Sequence, residues 1–217
     1  MFVVWLVVWV VATVFIIGPI GTTIHEYGHF RTCRRLNIPV KEVRVGGWPR
    51  WRWCIRGVPW YFGFPRLSRK GRSGVTEPEW PSDRTLWVEM FASGPRMSRY
   101  AAIICWLATI LVPTYLFPWA ASLYLVNTMM WIGNYSYAGD KEPADGLGIL
   151  LAQADPTFVS PTIGAPPIVD PSSAVYQAAT KSVGHGPRAF GFYALMVFGL
   201  GIVPGLFRFV LAYKAFF

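Results

Sequence analysis

Residues 1–24 contain no Asp, Glu, Lys or Arg. Their centre, FVVWLVVWVVATVFII, is almost entirely aliphatic and aromatic. A helix that crosses the hydrocarbon core of a bilayer needs about 20 such residues. A cleaved signal peptide is disfavoured, because the stretch has no basic start, no small-x-small cleavage site and too long an apolar part. The sequence therefore predicts a transmembrane helix at the N-terminus, over about residues 2–34.

Two further uncharged runs lie later in the chain, from Arg99 to Asp140 and from Arg188 to Arg208. Hydrophobic residues make up 53% of the chain and charged residues 14%, whereas a soluble domain has about 25% charged residues. The longer run holds 40 residues, which is enough for two helices joined near Phe117. We therefore expect a polytopic α-helical membrane protein, a single membrane-embedded domain over 1–217 with four transmembrane helices at about 2–34, 98–116, 119–138 and 189–212.

The basic residues are concentrated in one segment of the chain. Of the 20 Lys and Arg residues, 15 lie between Arg31 and Arg99, together with five acidic residues. A basic segment beside a transmembrane helix sets orientation through the positive-inside rule. Segment 35–97 is therefore expected in the cytoplasm, in a multi-pass protein of the cell membrane whose active site faces the cytoplasm. Attraction to anionic lipid is a secondary effect of the net charge of +9, and nucleic-acid binding is disfavoured because no binding module is recognisable.

Alternating residues within segment 35–97 predict short strands. Val40–Val45 (VKEVRV) and 50–56 (RWRWCIR) both alternate, with glycines beside them that mark turns. A small interfacial β-sheet after the first helix is therefore expected, and either strand can hold an extended substrate by adding it as a further strand. Residues 156–188 are predicted to form a Pro-rich connection, because five prolines between 156 and 171 prevent a regular helix there.

The motif that carries chemistry is H-E-x-x-H, formed by His25, Glu26 and His29. Positions i and i+4 of a helix lie on one face, so both imidazoles can bind one tetrahedral zinc ion. Glu26 follows the first ligand, where its carboxylate can take a proton from zinc-bound water and pass it to a leaving amine. An ionisable cluster near the end of an apolar helix indicates a functional site. The motif predicts Zn²⁺ as the cofactor and Glu26 as the catalytic residue.

Zinc needs a third protein ligand. The metzincin extension of the motif is excluded, because Thr32 and Arg35 stand where it has Gly and His. Asp145 and its neighbours follow the third predicted helix, whose cytoplasmic end must return near His29 in a compact bundle. His185 precedes the last predicted helix and is interpreted as a loop residue. The other candidates that remain open are Glu89, Asp140, Glu142 and Asp155.

Several motifs occur in the order that is typical of the site-2 protease family of intramembrane zinc metalloproteases. The chain resembles this family in HEYGH at 25–29 with LNIPV at 36–40, in Gly94-Pro95, in Asn134, and in PADG at 143–146. The resemblance implies that Asp145 is the third zinc ligand and that Asn134 contacts the substrate carbonyl. Ser98 stands where the family usually has an asparagine, three residues after its Gly-Pro.

The resemblance implies an intramembrane zinc metalloprotease that hydrolyses a peptide bond in or near a transmembrane segment. Its expected partners are a transmembrane protein or peptide substrate and the lipid bilayer, with a membrane partner subunit as a further possibility. One alternative is a gluzincin-type peptidase with Glu142 as third ligand, although Pro143 disfavours the helix that this class needs. The other is a catalytically inactive protease-like membrane scaffold or partner-binding subunit, which an intact Glu26 disfavours.

Overall fold

The structure is a computed structural model, and it describes residues 2–64, 74–136, 145–160, 164–183 and 210. These ranges contain six α-helices, a four-stranded sheet, a π-helical turn at Thr13–Ile17 and a 3₁₀ turn at Thr114–Leu116. The helices are α1 (Phe2–Ala12), α2 (Gly18–Arg35), α3 (Arg84–Leu111), α4 (Phe117–Ser136), α5 (Asp145–Ala154) and α6 (Ala174–Val183). The strands are β1 (Val40–Val45), β2 (Trp48–Ile55), β3 (Val58–Phe64) and β4 (Gly74–Pro78).

The N-terminal helix is continuous from α1 through the π turn into α2. Pro19 cannot donate a backbone hydrogen bond, and the N–H of Gly18 just before it bonds to the carbonyl of Thr13, five residues back. Residues Val7–Arg35 of this helix are long and apolar enough to cross a membrane, judged by length and composition. In the most apolar 18-residue stretch of this helix, 22% of the residues are buried within the molecule, so the stretch is mainly exposed.

The expectation of a polytopic membrane protein is wrong. Val7–Arg35 is the one helix in the described ranges that is long and apolar enough to cross a membrane. The predicted helices 98–116 and 119–138 correspond to part of α3 and to α4, neither of which is apolar enough. Helices α5 and α6 have 10 residues each, whereas a helix that crosses a membrane needs about 20. The predicted helix 189–212 lies outside the described residues, apart from residue 210.

The error arises because an uncharged run is not necessarily an apolar one. Helix α4 has no charged residue, but it buries Ser122, Asn127 and Thr128, each of which bonds to a carbonyl of its own helix. Helix α3 begins well before the predicted boundary, and its added N-terminal half carries Arg84 and Glu89. Polar side chains of this kind are accommodated where helices pack on one another, and α3 and α4 pack extensively.

The sheet has the strand order β2-β3-β1-β4, with β1 parallel to β3 and the other two pairs antiparallel. Strand β1 matches the predicted strand at 40–45, and β2 overlaps the predicted strand at 50–56. Strand β1 is paired on both sides, so the expectation that it could hold a substrate as a further strand is wrong. The edge strands of the sheet are β2 and β4. One sheet face buries Val43, Val45 and Trp60 against Phe30 of α2.

Close helix packing positions the elements around the N-terminal helix. A Cβ atom at Gly28 would lie 2.5 Å from the carbonyl oxygen of Ser93 and 2.8 Å from Met97 Cβ, so α2 and α3 cross where only glycine fits. A Cβ atom at Gly148 would lie 2.7 Å from the ring of Phe91, so α5 packs directly against this side chain of α3. Helix α3 thereby holds both the H-E-x-x-H helix and the helix that begins at Asp145.

Two of the predicted connecting segments contain helices. Residues 84–97, expected as part of the loop region 35–97, form the first half of α3. The predicted connection 156–188 contains α6, which begins after the last of its five clustered prolines. A core of large side chains explains both: Trp87 of α3 and Phe158 pack edge to face 5.5 Å apart, with Leu147 and Leu151 of α5 around them.

Candidate metal centre

His25 and His29 lie one turn apart on α2, and their imidazole rings point to the same place. Their Nε2 atoms are 3.2 Å apart, and the side chains are 4% and 13% exposed. The i, i+4 spacing of a helix produces this arrangement directly. Two nitrogen lone pairs at this distance repel each other unless a cation or a proton lies between them.

Asp145 completes the group from a different helix, α5. It is the first residue of α5, and its Oδ2 lies 2.9 Å from His25 Nε2 and 3.4 Å from His29 Nε2. Two ligand atoms that are each about 2.0–2.1 Å from a tetrahedral zinc ion are about 3.3 Å apart. The three atoms therefore form a triangle close in size to one face of that tetrahedron. His25, His29 and Asp145 form a group that can hold a metal ion.

Hydrogen bonds at the far side of each ring orient its Nε2 towards Asp145. His29 Nδ1 donates to the carbonyl oxygen of Met90, 2.7 Å away, which leaves the Nε2 lone pair free. The same carbonyl also accepts a hydrogen bond from the hydroxyl of Ser93, 2.6 Å away. His25 Nδ1 lies 3.1 Å from the hydroxyl of Ser98, which is fully buried. With the His25 proton on Nδ1, both Nε2 atoms can bind a metal.

Gly94 leaves the space in front of the two imidazoles open. A Cβ atom at this position would overlap His29 Nε2 and would lie 2.6 Å from His25 Nε2. Even a methyl group would therefore fill the space beside the ligand atoms. The nitrogen and oxygen atoms of the group converge on a space that any side chain at position 94 would close, and such a space fits a metal ion. Two histidines and one aspartate are a donor set that suits zinc.

The charge of Asp145 is stabilised by its surroundings. Burial raises the pKa of Asp145, but a protonated His29, together with the hydrogen bonds that His25 and His29 donate while their Nε2 atoms carry protons, more than offsets this effect. The net pKa lies below the ordinary value for an aspartate. The residue therefore offers an ionised oxygen to the group, which is the form that binds a metal ion. A metal ion that binds the three residues takes the place of the Nε2 protons.

Glu26 follows His25 on α2 and is 5% exposed. The hydroxyl of Thr76, in strand β4, donates to Glu26 Oε2 over 2.8 Å and lies 3.2 Å from the Glu26 carbonyl oxygen. Glu26 is not part of the group of converging ligand atoms, and its carboxylate is held against strand β4.

The other candidates divide into three groups. Glu89 pairs with Arg35 at 3.1 Å and Arg96 at 3.4 Å and is half exposed. Asp155 is buried, but its oxygens accept hydrogen bonds from Thr157 and Ser173, away from the imidazoles. The remaining candidates, His185, Asp140 and Glu142, lie outside the described residues.

Asn134, which the family resemblance implies in substrate binding, is near the end of α4. Its side-chain nitrogen donates to the carbonyl of Met130 in its own helix, 2.6 Å away. Among the described residues, no hydrogen bond joins Asn134 to His25, His29 or Asp145. The predicted contact with a substrate carbonyl stays a prediction.

Sequence reasoning missed two residues that contact the motif. Ser98 was noticed only as a departure from the family pattern, and it proves to bond to His25. Thr76 was missed altogether, because a threonine in a short strand 50 residues from its partner carries no local signal. Gly94 belonged to a noticed motif, but only its position against the imidazoles explains why a side chain is not tolerated there.

Neither a comparison with protein-family models nor one with curated proteins finds a match to this chain. The resemblance to site-2 proteases therefore depends on the motifs themselves. What the geometry adds is the convergence of residues from two of those motifs, HEYGH and the Asp-Gly of PADG.

Proposed function

We propose that the protein is a zinc-dependent endopeptidase that hydrolyses a peptide bond in or near the membrane segment of a membrane-protein substrate. The observation that carries the proposal is the convergence of His25 Nε2, His29 Nε2 and Asp145 Oδ2, with distances of 2.9 to 3.4 Å between them. A buried Glu26 next to the first of these ligands supports peptidase chemistry in particular, since a purely structural zinc site needs no proton acceptor.

In the proposed reaction, His25, His29 and Asp145 hold the zinc ion. When bound, zinc supplies a Lewis acid that polarises the peptide carbonyl and lowers the pKa of water. The Glu26 carboxylate takes one proton from the attacking water as its oxygen forms a bond to the carbonyl carbon. Glu26 then gives this proton to the amide nitrogen as the C–N bond breaks, so the products are a carboxyl and an amino terminus.

The location of the site supports a substrate in the membrane. His25 and His29 lie in the C-terminal half of Val7–Arg35, whose first part exposes Val7, Val8 and Phe15. The helix ends with Arg34 and Arg35, and by the positive-inside rule these residues support a cytoplasmic location at the cell membrane for that end of the helix and for the site. A substrate anchored in the same bilayer then meets the site at a high effective concentration.

A peptide bond must be extended before it can be hydrolysed, and the edge strand β4 supports this step. Strand β4 is at the end of the strand order and contacts Glu26 through Thr76. A substrate segment that adds to this edge replaces its helical hydrogen bonds with main-chain bonds to β4. The scissile bond then lies next to the carboxylate.

The test is zinc analysis of the purified full-length protein together with cleavage assays. The assays use fluorescently labelled casein and a single-span membrane protein, both in detergent and in reconstituted vesicles. We expect about one equivalent of zinc, and a Glu26→Gln variant that keeps this zinc but loses about 10²–10⁴-fold in kcat. The matched control is Glu89→Gln, which removes a carboxylate of the half-exposed ion pair with Arg35 and should retain activity.

The results separate the proposal from its alternatives. A wild-type protein that binds no zinc, after purification without chelators, would contradict the proposal. A protein that binds zinc but shows no cleavage that depends on Glu26 would favour the inactive scaffold instead.

A further inference from the structure

Strand β4 contacts the Glu26 carboxylate with two residues on one face. Side chains alternate along a strand, so Gly74 and Thr76 point to the same side. That side faces α2, with which β4 is in contact. Both residues lie against Glu26: Thr76 through a hydrogen bond, and Gly74 through the absence of a side chain.

Thr76 restrains one oxygen of the carboxylate. Its hydroxyl has a single proton to donate, and Glu26 Oε2 at 2.8 Å is a closer acceptor than the Glu26 carbonyl oxygen at 3.2 Å. The bond is formed to a charged group that is 5% exposed, and such bonds are stronger than neutral ones. It therefore reduces the rotation of the Glu26 side chain about its last torsion.

Gly74 makes room for the other oxygen. A Cβ atom at Gly74 would lie 2.6 Å from Glu26 Oε1, 2.8 Å from Glu26 Cγ and 2.7 Å from Thr22 Cγ2. Any other residue would push the carboxylate out of its place or move β4 away. Only with glycine at this position does the strand come close enough for Thr76 to reach Oε2.

We infer that Thr76 is a positioning residue for the general base: it holds Glu26 Oε2, so that Oε1 is the oxygen that takes the proton from water and returns it to the leaving nitrogen. Gly74 provides the space that this orientation needs. The inference depends on the proposed peptidase function for its catalytic part. Its structural part, the coupling between Thr76 and Glu26, does not depend on activity.

The first experiment compares Thr76→Val, which removes the hydroxyl and keeps the shape, with Thr76→Ser, which keeps the hydroxyl. With labelled casein as the substrate, we expect Thr76→Val to lower kcat about 10- to 100-fold with KM unchanged, the cost of a lost hydrogen bond to a charged group. Thr76→Ser should retain kcat within about threefold. The matched control is Thr23→Val, because the Thr23 hydroxyl bonds only to the Pro19 carbonyl of its own helix among the contacts described.

Metal binding provides a second measurement, because a variant that displaced the metal ligands would bind metal differently. Zinc content, and the visible spectrum of the protein loaded with Co²⁺ in place of zinc, should be the same for wild type and Thr76→Val. A Gly74→Ala variant should likewise keep its metal and lose kcat, since the new methyl group meets Oε1 and none of the ligand atoms. Equal kcat for wild type and Thr76→Val, or equal loss in Thr76→Ser and Thr76→Val, would overturn the inference.

A double-mutant cycle distinguishes failure of this inference from failure of the proposed function. Melting temperatures are compared for wild type, Thr76→Val, Glu26→Ala and the double variant. If the two residues are coupled, the melting temperature of the double variant falls by less than the sum of the decreases in the two single variants. If the wild type cleaved neither casein nor the single-span membrane protein, the proposed function would fall, and non-additive melting temperatures would still support the contact. Additive melting temperatures would overturn the inference in either case.

Discussion

Two aspartates lie at opposite ends of α5 and differ in what surrounds them. Asp145 begins the helix and faces His25 and His29, which come from a helix 120 residues away in the sequence. Asp155 follows the helix and accepts hydrogen bonds from Thr157 and Ser173. Both residues were candidates for the third zinc ligand from the sequence.

The difference lies in what saturates each carboxylate. Asp155 accepts the backbone N–H and the hydroxyl of Thr157 at one oxygen and the Ser173 hydroxyl at the other, so it fixes the chain between α5 and α6. Asp145 is faced by the Nε2 atoms of two imidazoles, which can bind either a proton or a metal ion, and its side chain is 15% exposed. A carboxylate that accepts hydrogen bonds from neighbouring hydroxyl and backbone N–H groups stabilises the fold. A carboxylate that faces two imidazole nitrogens can bind a metal ion together with them.

The largest expected difference between the two is in zinc affinity. Asp145→Asn removes the charged ligand. Loss of a hydrogen bond that supports a ligand lowers metal affinity about 10- to 100-fold, and we expect the loss of this ligand to lower zinc affinity further. Asp155→Asn should leave zinc affinity within about twofold, but should lower the free energy of unfolding by about 1–3 kcal/mol through its weakened hydrogen bonds. Competition with a chromogenic chelator measures the affinities, and urea unfolding measures the stability. Loss of zinc in Asp155→Asn alone would reverse the assignment of the two residues.

The space beside the imidazoles is the next feature to test. Gly94→Ala places a methyl group against His29 Nε2 and His25 Nε2, and we expect zinc affinity to fall by about 100-fold. The control is Gly133→Ala in α4, where a new Cβ atom meets nothing within 4 Å. That variant should bind zinc normally and gain up to about 1 kcal/mol in helix stability. Normal zinc binding by Gly94→Ala would show that the metal does not occupy this space.

Two serines of α3 allow a finer test of how the histidines are oriented. Ser98→Ala removes the partner of His25 Nδ1, and we expect about a tenfold loss of zinc affinity. Ser93→Ala should have less effect, because His29 Nδ1, 3.3 Å from the Ser93 hydroxyl, already bonds to the Met90 carbonyl at 2.7 Å. Isothermal titration with zinc provides the comparison, and a larger loss in Ser93→Ala than in Ser98→Ala would contradict it.

The smallest expected effect is the contribution of Asp155 to acid stability. Burial raises the pKa of Asp155, but hydrogen bonds from Thr157 and Ser173 outweigh it, so the folded pKa is below the ordinary 3.8. A lowered folded pKa stabilises the protein above pH 3.8, and this contribution is lost as the pH falls through the folded value. We expect Asp155→Asn to flatten the decline in melting temperature below about pH 4 relative to the wild type. Parallel declines in the two proteins would contradict the prediction.

The sequence was a better guide to local structure than to environment. Strand β1 and the N-terminal helix were predicted from periodicity and apolar content, which act over a few residues. The number of transmembrane helices was predicted wrongly, because an uncharged run was treated as an apolar one. The buried Asn127 and Thr128 of α4 show the physical reason: a polar side chain that bonds to its own helix can be buried against another helix without any bilayer.

By itself, the sequence determined the spacing of His25, Glu26 and His29, because the period of a helix puts the two imidazoles on one face whatever surrounds them. The family resemblance implied Asp145 as the third ligand, but only the tertiary structure decided that Asp145 faces those imidazoles and that Asp155 does not, because different side chains pack around the two residues. It also decided that Ser98 and Thr76 contact the motif, from 73 and 50 residues away. Contacts over such separations depend on how α3 and β4 pack on α2, which no pattern within a single segment specifies.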